Sequence, residues 1–369
     1  METKSPITVD VEVDSDQANV EGEIKVEVLV DGNCIFEVTK QISSAEVVEG
    51  VEDGEKKELL AVPDKAVPLG QACYHFPSFG FAKQKMENFA HKVFDRMNWH
   101  FCYLPDWLRD NEYLHFRHRA PIPSFRHCFE SIFHLHTETV NIWTHMLGCL
   151  VFIALAAIYF LHPNNDIEWE EKLVFFPFFF GIISCLALSS FFHTVNCHSE
   201  RVGLFFNKLD YVGILLLIIG SFVPWLHYGF YCRRQPKILY MIIIIGLGCI
   251  ALVMTLWDKF TRPEYRVLRT SVFAALGLFG VVPFIHFVVV FGYHTTSKWL
   301  IIMGCLYVFG AILYAGQIPE RFFPGKCDIW WQSHQLFHLC VVAAAMAHYR
   351  GISEMATIRL TGLWPCHSK

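Results

Sequence analysis

Residues 238–257 read ILYMIIIIGLGCIALVMTLW, a run of twenty residues without a single Asp, Glu, Lys or Arg. Charged residues return immediately outside it, at Lys237 on one side and Asp258 on the other. An α-helix needs about 20 apolar residues to cross the ~30 Å hydrocarbon core of a bilayer. A helix is also one of the two structures that satisfy every backbone hydrogen bond inside lipid. The run therefore predicts a membrane-spanning helix.

Six further apolar runs have the same character, and none has a charged residue in its middle. The seven runs cover about residues 141–162, 172–194, 209–230, 237–257, 271–291, 298–316 and 331–349. The loops between them are short and carry the charges and the prolines. We predict an all-α membrane protein, a seven-transmembrane helix bundle over residues 137–351 in the plasma membrane, with an extracellular tail at 352–369.

The composition of the 369 residues agrees with this class. Apolar residues make up 53% and charged residues 18%, against roughly 25% charged in ordinary globular proteins. There are 34 Phe and 10 Trp. These values exclude a disordered chain, a nucleic-acid-binding protein and a water-soluble enzyme. The 13 Cys include no C-x-x-C pair, so we interpret them as buried, reduced, small apolar residues.

Two regions precede the bundle. Residues 1–60 hold 16 Asp and Glu against 5 Lys and Arg, and we predict that residues 1–72 are a mostly disordered acidic tail. Alternation of apolar and polar residues at 24–28 allows a hairpin there instead. Residues 73–136 are predicted to be a cytosolic juxtamembrane segment. In it, Ser124 can cap a short amphipathic helix that ends near Phe133 and lies in the membrane interface.

The distribution of basic residues orients the bundle. Eleven Lys and Arg lie near the loops on the side of the N-terminal flank, and eight lie near those on the other side. Cytosolic loops carry the excess of Lys and Arg. We therefore predict a cytosolic N-terminus.

Four ionisable residues lie at the ends of the apolar runs. Placing a charged group at membrane depth costs free energy, so such residues usually have a functional role. His193 ends the second run, Asp210 opens the third, and His334 and His338 open the seventh. Helices three to six cross the membrane four times and return the chain to the side where His193 and Asp210 lie. The topology therefore places all four residues at one membrane face.

The residue types predict a zinc site. His334 and His338 are four residues apart, so their imidazoles project from one face of a helix. With a third imidazole from His193, they can form a zinc site whose fourth position is open to water, substrate or Asp210. Gln335 stands where the zincin peptidase motif has Glu, so Asp210 is the candidate base. Ser189, one turn deeper than His193, can stabilise an oxyanion or can simply bond a helix carbonyl.

Other polar residues have simpler interpretations. A single His in a membrane helix usually hydrogen-bonds a neighbouring helix, and we assign His145, His286 and His348 to that role. Cys197 and His198 are the nearest rival ligands. They lie in a loop, where a polar role without metal is favoured.

Several motifs resemble the progestin and adipoQ receptor family, the family of the adiponectin receptors. The first matching stretch begins with SFR at 124–126 and ends with IF at 132–133. The others are HTET at 136–139, NIWTH at 141–145, FHTV at 192–195, CHSE at 197–200, KLDY at 208–211, GSFVPW at 220–225, IPERFFPGK at 318–326 and QSHQ at 332–335 with His338. The resemblance runs from about residue 105 to residue 350.

The resemblance implies a seven-helix bundle with the N-terminus inside and zinc held by His193, His334 and His338, with Asp210 beside the metal. It also implies a ceramidase-like hydrolase that cleaves ceramide to a sphingoid base and a free fatty acid, and acts in lipid homeostasis. Arg269 and Tyr314 match positions expected to contact the fatty-acid carboxylate.

A second function is left open, a signalling receptor whose zinc is purely structural. A transporter fits less well, because the polar residues form no chain across the membrane. An extracellular protein ligand, a cytosolic adaptor bound to the N-terminal region, and oligomer formation are further expectations. No nucleic-acid partner is expected.

Overall fold

The computed structural model describes residues 7–15, 22–30, 33–42, 99–161 and 168–362. The chain divides into two compact units, Met1–Phe79 and Gly80–Lys369. The amphipathic part of the predicted juxtamembrane segment before Trp99 lies outside the described residues.

The N-terminal unit contains three strands, β1 (Ile7–Ser15), β2 (Gly22–Val30) and β3 (Asn33–Ile42). They form an antiparallel sheet in the order β1-β2-β3. Alternation along β2 suits a strand, since its period is two residues. The described residues 7–15, 22–30 and 33–42 thus form the sheet that the alternation allowed. The rest of the predicted tail lies outside the described residues.

The second unit is helical. Its α-helices are α1 (Phe125–Glu130), α2 (Thr139–Leu161), α3 (Trp169–Leu173), α4 (Phe176–Val195), α5 (Glu200–Gly229), α6 (Arg234–Leu256), α7 (Arg266–Leu278), α8 (Val281–Phe291), α9 (Ser297–Gly316) and α10 (Ser333–Leu360). Helix α1 begins after Ser124 as predicted. However, the Ser124 side chain makes no capping hydrogen bond, and α1 ends at Glu130 before a 3₁₀ turn.

Six segments of the described residues are long and apolar enough to cross a membrane. They are Thr139–Leu161, Trp169–Val195, Glu200–Gly229, Arg234–Leu256, Pro263–Phe291 and Ser297–Gly316. Their mean hydropathies run from 1.9 to 2.7. The protein is therefore an integral, multi-pass membrane protein. The seventh predicted run corresponds to α10, which is 28 residues long but is not among the six.

Helices α4 and α5 form the most extensive helix pair, and α10 packs against α9, α2 and α5. Aromatic side chains fill the interior: Phe152, Phe178 and Phe179 are at most 2% exposed. Large apolar side chains also point outward, such as Val253 at 71% exposed. In a membrane protein these outward side chains contact lipid, so their exposure carries no cost.

Candidate metal centre

Three imidazoles meet at one end of the bundle. His193 lies in the last turn of α4, and His334 and His338 lie in the first two turns of α10. The ring centroids are 4.9 Å (His193–His334), 5.0 Å (His193–His338) and 4.7 Å (His334–His338) apart. The structure therefore brings together the three histidines that the sequence predicted as ligands.

The donor atoms of this triad fit a metal ion. One nitrogen of each ring lies within 4.8 Å of the other two, and tetrahedral zinc with Zn–N bonds near 2.0–2.1 Å needs about 3.4 Å between nitrogens. His193 and His338 are 2% and 1% exposed. The Nε2 atom of His193 is buried and has no hydrogen-bond partner among the residues that the structure describes. A buried polar atom without a partner is rare, and here a metal ion would supply the partner.

Residues 138–141, at the start of α2, contact two of the three rings. A carboxylate oxygen of Glu138 lies 2.7 Å from Nδ1 of His193, and the backbone carbonyl of Asn141 lies 3.2 Å from Nδ1 of His338. Burial alone would raise the pKa of the Glu138 carboxyl. The adjacent His193 ring and Asn141 amide instead hold that pKa below its usual range.

Sequence reasoning assigned no role to Glu138 or Asn141. The sequence did contain a signal for Glu138, because this residue lies shortly before the first predicted span, at the membrane face of the histidines. The contact with His193 nevertheless joins positions 55 residues apart, and no local pattern specifies it.

Asp210 and Ser189 lie beside the triad. Both are buried, at 8% and 2% exposed, and the Ser189 side chain lies beside the Asp210 carboxyl. The set of donor atoms within 4.8 Å of one another does not include Asp210. Ligation of the metal by Asp210 therefore stays a prediction, and so do the catalytic roles of both residues.

Arg269 and Tyr314 extend the site from α7 and α9. A guanidinium nitrogen of Arg269 donates to the Tyr314 hydroxyl at 3.2 Å, and the Tyr314 ring lies 5.0 Å from the His334 ring. Another nitrogen of Arg269 donates to the carbonyl of Phe260 at 2.7 Å. The structure thus connects both predicted substrate-binding residues to the triad.

The other histidines differ in role. His286 contacts the Tyr240 hydroxyl at 2.9 Å and His348 contacts the Ser221 carbonyl at 3.0 Å, so both join helices as predicted. His145 makes no such hydrogen bond within the described residues: its ring in α2 stacks on His338 in α10 at 3.5 Å.

The rival ligands are engaged elsewhere. Sγ of Cys197 lies 3.8 Å from Sγ of Cys128, and the His198 ring stacks on Phe125 with centroids 4.2 Å apart. Both residues therefore contact α1 and not the triad.

A buried arginine fixes the end of α4. The Arg119 guanidinium donates to the carbonyls of His193 and Thr194, to the Ser131 hydroxyl and to the Asn196 side chain. A cation at the C-terminus of a helix is favoured by the helix dipole and by the unpaired carbonyls there. Arg119 therefore stabilises the backbone that carries His193. Sequence reasoning missed this contact as well.

A small cavity of about 40 Å³ borders the triad. His334, Glu138 and Asn141 line it from the bundle, and Leu108, Asp110 and Leu114 line it from the juxtamembrane segment. A water molecule needs roughly 10–15 Å³ of such space and polar partners. The cavity therefore offers room for water beside His334.

Comparison with known proteins identifies the relatives of this chain. Residues 133–349 match the family described as "Haemolysin-III related". The chain is 53% identical over 287 residues to "Adiponectin receptor protein" of Drosophila melanogaster, covering 76% of this chain and 64% of that protein. It is 55% identical over 268 residues to "Progestin and adipoQ receptor-like protein 1" of Caenorhabditis elegans, covering 71% and 62%.

A yeast relative is more distant but is covered more completely. "ADIPOR-like receptor IZH2" of Saccharomyces cerevisiae is 35% identical over 260 residues, covering 68% of this chain and 81% of that protein. The chain spans less than two thirds of the length of the fly and nematode relatives.

Proposed function

The chain belongs to the haemolysin-III-related family of progestin and adipoQ receptors, and on that basis we propose that it is a membrane receptor whose histidine triad holds zinc and hydrolyses lipid amides of the ceramide type. The observation that carries this proposal is the buried triad with one unpartnered Nε2, beside a buried carboxyl group that does not belong to the same donor set. Three protein ligands leave a fourth position open, as in catalytic zinc sites, whereas structural sites are closed by four.

Zinc, when bound, would lower the pKa of water to about 7 and so provide hydroxide at neutral pH. Asp210 would accept the proton of the attacking water and return it to the amine that leaves when the C–N bond breaks. Ser189, whose side chain lies beside the Asp210 carboxyl, would hold that carboxyl in position. One water is consumed for each amide, and a fatty acid and an amine are released.

Arg269 and Tyr314 suit the acid product. A guanidinium that donates to a tyrosine hydroxyl presents cationic and neutral donors to a carboxylate. The surrounding helices are apolar, as an acyl chain requires. This combination supports a free fatty acid as the product, and ceramide as the substrate rests on the resemblance to the family.

We also propose that α10 is a seventh span and that the N-terminus is cytosolic, with the protein in the plasma membrane. At 1.5 Å per residue, the 28 residues of α10 reach about 42 Å. Its contacts with α9, α2 and α5 support a place inside the bundle. The excess of basic residues on the N-terminal side supports the orientation.

The test uses full-length protein purified in a mild detergent. Elemental analysis measures zinc, and mass spectrometry measures release of fatty acid from a panel of ceramides. We expect about one zinc per chain and turnover that a chelator abolishes. The His334→Ala/His338→Ala double variant should lose both. His286→Ala, which removes a histidine bonded to Tyr240 away from the triad, is the matched control and should keep both. A triad variant that retains zinc and turnover would refute the proposal.

The rival function is a receptor in which zinc only ties helices together, responding to an extracellular protein ligand or to a cytosolic adaptor. The observation in its favour is that the triad joins the end of α4 to the start of α10. Asp210→Asn separates the two functions. Retained zinc with lost hydrolysis supports catalysis. Wild-type protein that binds zinc and hydrolyses no ceramide supports the structural role.

A further inference from the structure

We infer that Glu138 is a positioning residue of the metal centre, which fixes the His193 ring so that its Nε2 faces the metal. The inference rests on the proposed zinc site and extends it to residues 138–141, at the start of α2, which provide no ligand. It assigns this segment to the support of the site.

The contact of Glu138 with His193 determines which nitrogen carries the proton. A neutral imidazole has one N–H donor and one acceptor nitrogen. A carboxylate oxygen 2.7 Å from Nδ1 accepts a hydrogen bond, so Nδ1 carries the hydrogen. Nε2 then presents its lone pair, and this is the buried atom without a partner in the structure. Metal-binding histidines usually donate their second N–H to such an acceptor.

Glu138 is itself held on three sides. Its backbone N–H donates to Nδ1 of His136 at 3.1 Å, and its carbonyl accepts from the backbone N–H of Ile142 at 3.0 Å. The Asn141 side-chain amide donates to the same carboxylate oxygen that contacts His193, at 2.8 Å. The carboxylate is therefore oriented before any metal binds.

The same helical turn orients a second ring. The backbone carbonyl of Asn141 accepts from Nδ1 of His338 at 3.2 Å, which leaves Nε2 of that ring as the nitrogen with the free lone pair. Residues 138–141 thus direct one ring from α4 and one from α10.

The experiment measures zinc affinity of full-length protein in detergent by competition with chelators of known affinity. The variants are Glu138→Ala, Glu138→Gln and, as matched control, Glu130→Gln. Glu130 is an exposed residue of α1 bonded to Arg126. Loss of such a supporting contact typically weakens metal binding 10–100-fold. We expect that loss for Glu138→Ala, a smaller loss for Glu138→Gln because its amide oxygen still accepts from Nδ1, and no loss for Glu130→Gln.

Cobalt provides a readout that a purely structural role would not move. In Co²⁺-substituted protein, the visible absorption bands should shift in the Glu138 variants and not in the control. If Glu138→Ala does not fold, Glu138→Met, whose side chain has a similar length and no oxygen to accept from Nδ1, carries the test. Zinc affinity within about threefold of wild type in Glu138→Ala or Glu138→Met, with unchanged cobalt bands, would overturn the inference and leave the zinc site standing. Wild-type protein without zinc affinity would overturn the proposed function itself.

Discussion

Substitution of Gly181 by alanine tests the closeness of the α4–α5 interface on which the site depends. A Cβ atom at Gly181 would lie 2.5 Å from the carbonyl oxygen of Leu216, 2.9 Å from its carbonyl carbon and 3.0 Å from Cα of Leu217. All three are backbone atoms of α5, so no side-chain rotation can relieve the clash. The two helices must separate locally by roughly 0.5–1 Å.

The expected cost follows from this geometry. Overpacking of a well-packed interior costs typically 1–3 kcal/mol, and rigid backbone on both sides places Gly181→Ala in the upper part of that range. Alanine gains roughly 0.5–1 kcal/mol over glycine as a helix former, which offsets part of it. We expect a net destabilisation of about 2 kcal/mol. Gly246→Ala in α6 is the matched control, because nothing lies within 4 Å of its Cβ position, and it should be neutral or stabilising.

The assay is thermal unfolding in detergent. A fluorogenic reagent that labels buried thiols such as Cys185 as they become exposed monitors the unfolding. Domains of 150–250 residues shift by about 2–4 °C per kcal/mol, so Gly181→Ala should unfold roughly 4–8 °C below the wild type. Gly181 lies 12 residues, or about 18 Å, from His193, so zinc bound per folded molecule should not change. Equal unfolding midpoints for Gly181→Ala and Gly246→Ala would refute the close packing described here.

Three further perturbations probe the juxtamembrane segment. Arg119→Gln removes a charged donor from the end of α4 and should destabilise the protein by about 1.5–3 kcal/mol. The measurement is a lower unfolding midpoint. Arg119→Lys should not restore that midpoint, because lysine lacks the forked donors of arginine. Asp328→Asn leaves one of the backbone N–H groups of residues 115 and 116 without an acceptor and should speed proteolysis of residues 99–118, whereas Asp106→Asn at an exposed position should not. Burial, and then the charge of Arg119, lowers the pKa of His136 to about 2. The unfolded state therefore binds more protons below pH 6.5, and acidification from pH 7 to 5 should cost up to about 2 kcal/mol at this residue. His136→Gln should remove that part of the acid sensitivity, and an unchanged difference in midpoint between pH 7 and pH 5 would contradict it.

The positions of the spanning helices could be predicted because a long apolar run has few alternatives in lipid. The runs at 237–257 and 298–316 correspond to Arg234–Leu256 and Ser297–Gly316. The run at 271–291 hides a break between α7 and α8 at residues 279–280. Pro283 follows the break and cannot donate to the carbonyl of Phe279. Apolar content alone does not register such a missing backbone hydrogen bond.

The candidate ligands could be predicted because the number of membrane crossings decides which helix ends share a face. That argument needs no side-chain geometry, so it brought His193 and His338 together across 145 positions of the sequence. It could not find Glu138 or Arg119, because their roles depend on which ring nitrogen or carbonyl they meet. Such contacts are set by helix rotation and loop path, which follow from packing of the whole molecule.

The polar composition of α10 explains why this helix is not among the six apolar segments. Its polar side chains are largely buried and paired: Ser333 bonds Glu320, His348 bonds the carbonyl of Ser221, and Arg359 bonds that of Tyr228. Polar groups that are hydrogen-bonded inside a bundle do not face lipid, so their transfer costs do not apply. A mean hydropathy counts these polar groups as though they faced lipid. The absence of α10 from the six apolar segments therefore reflects polar side chains that pair inside the bundle, and it does not argue against the proposed seventh span.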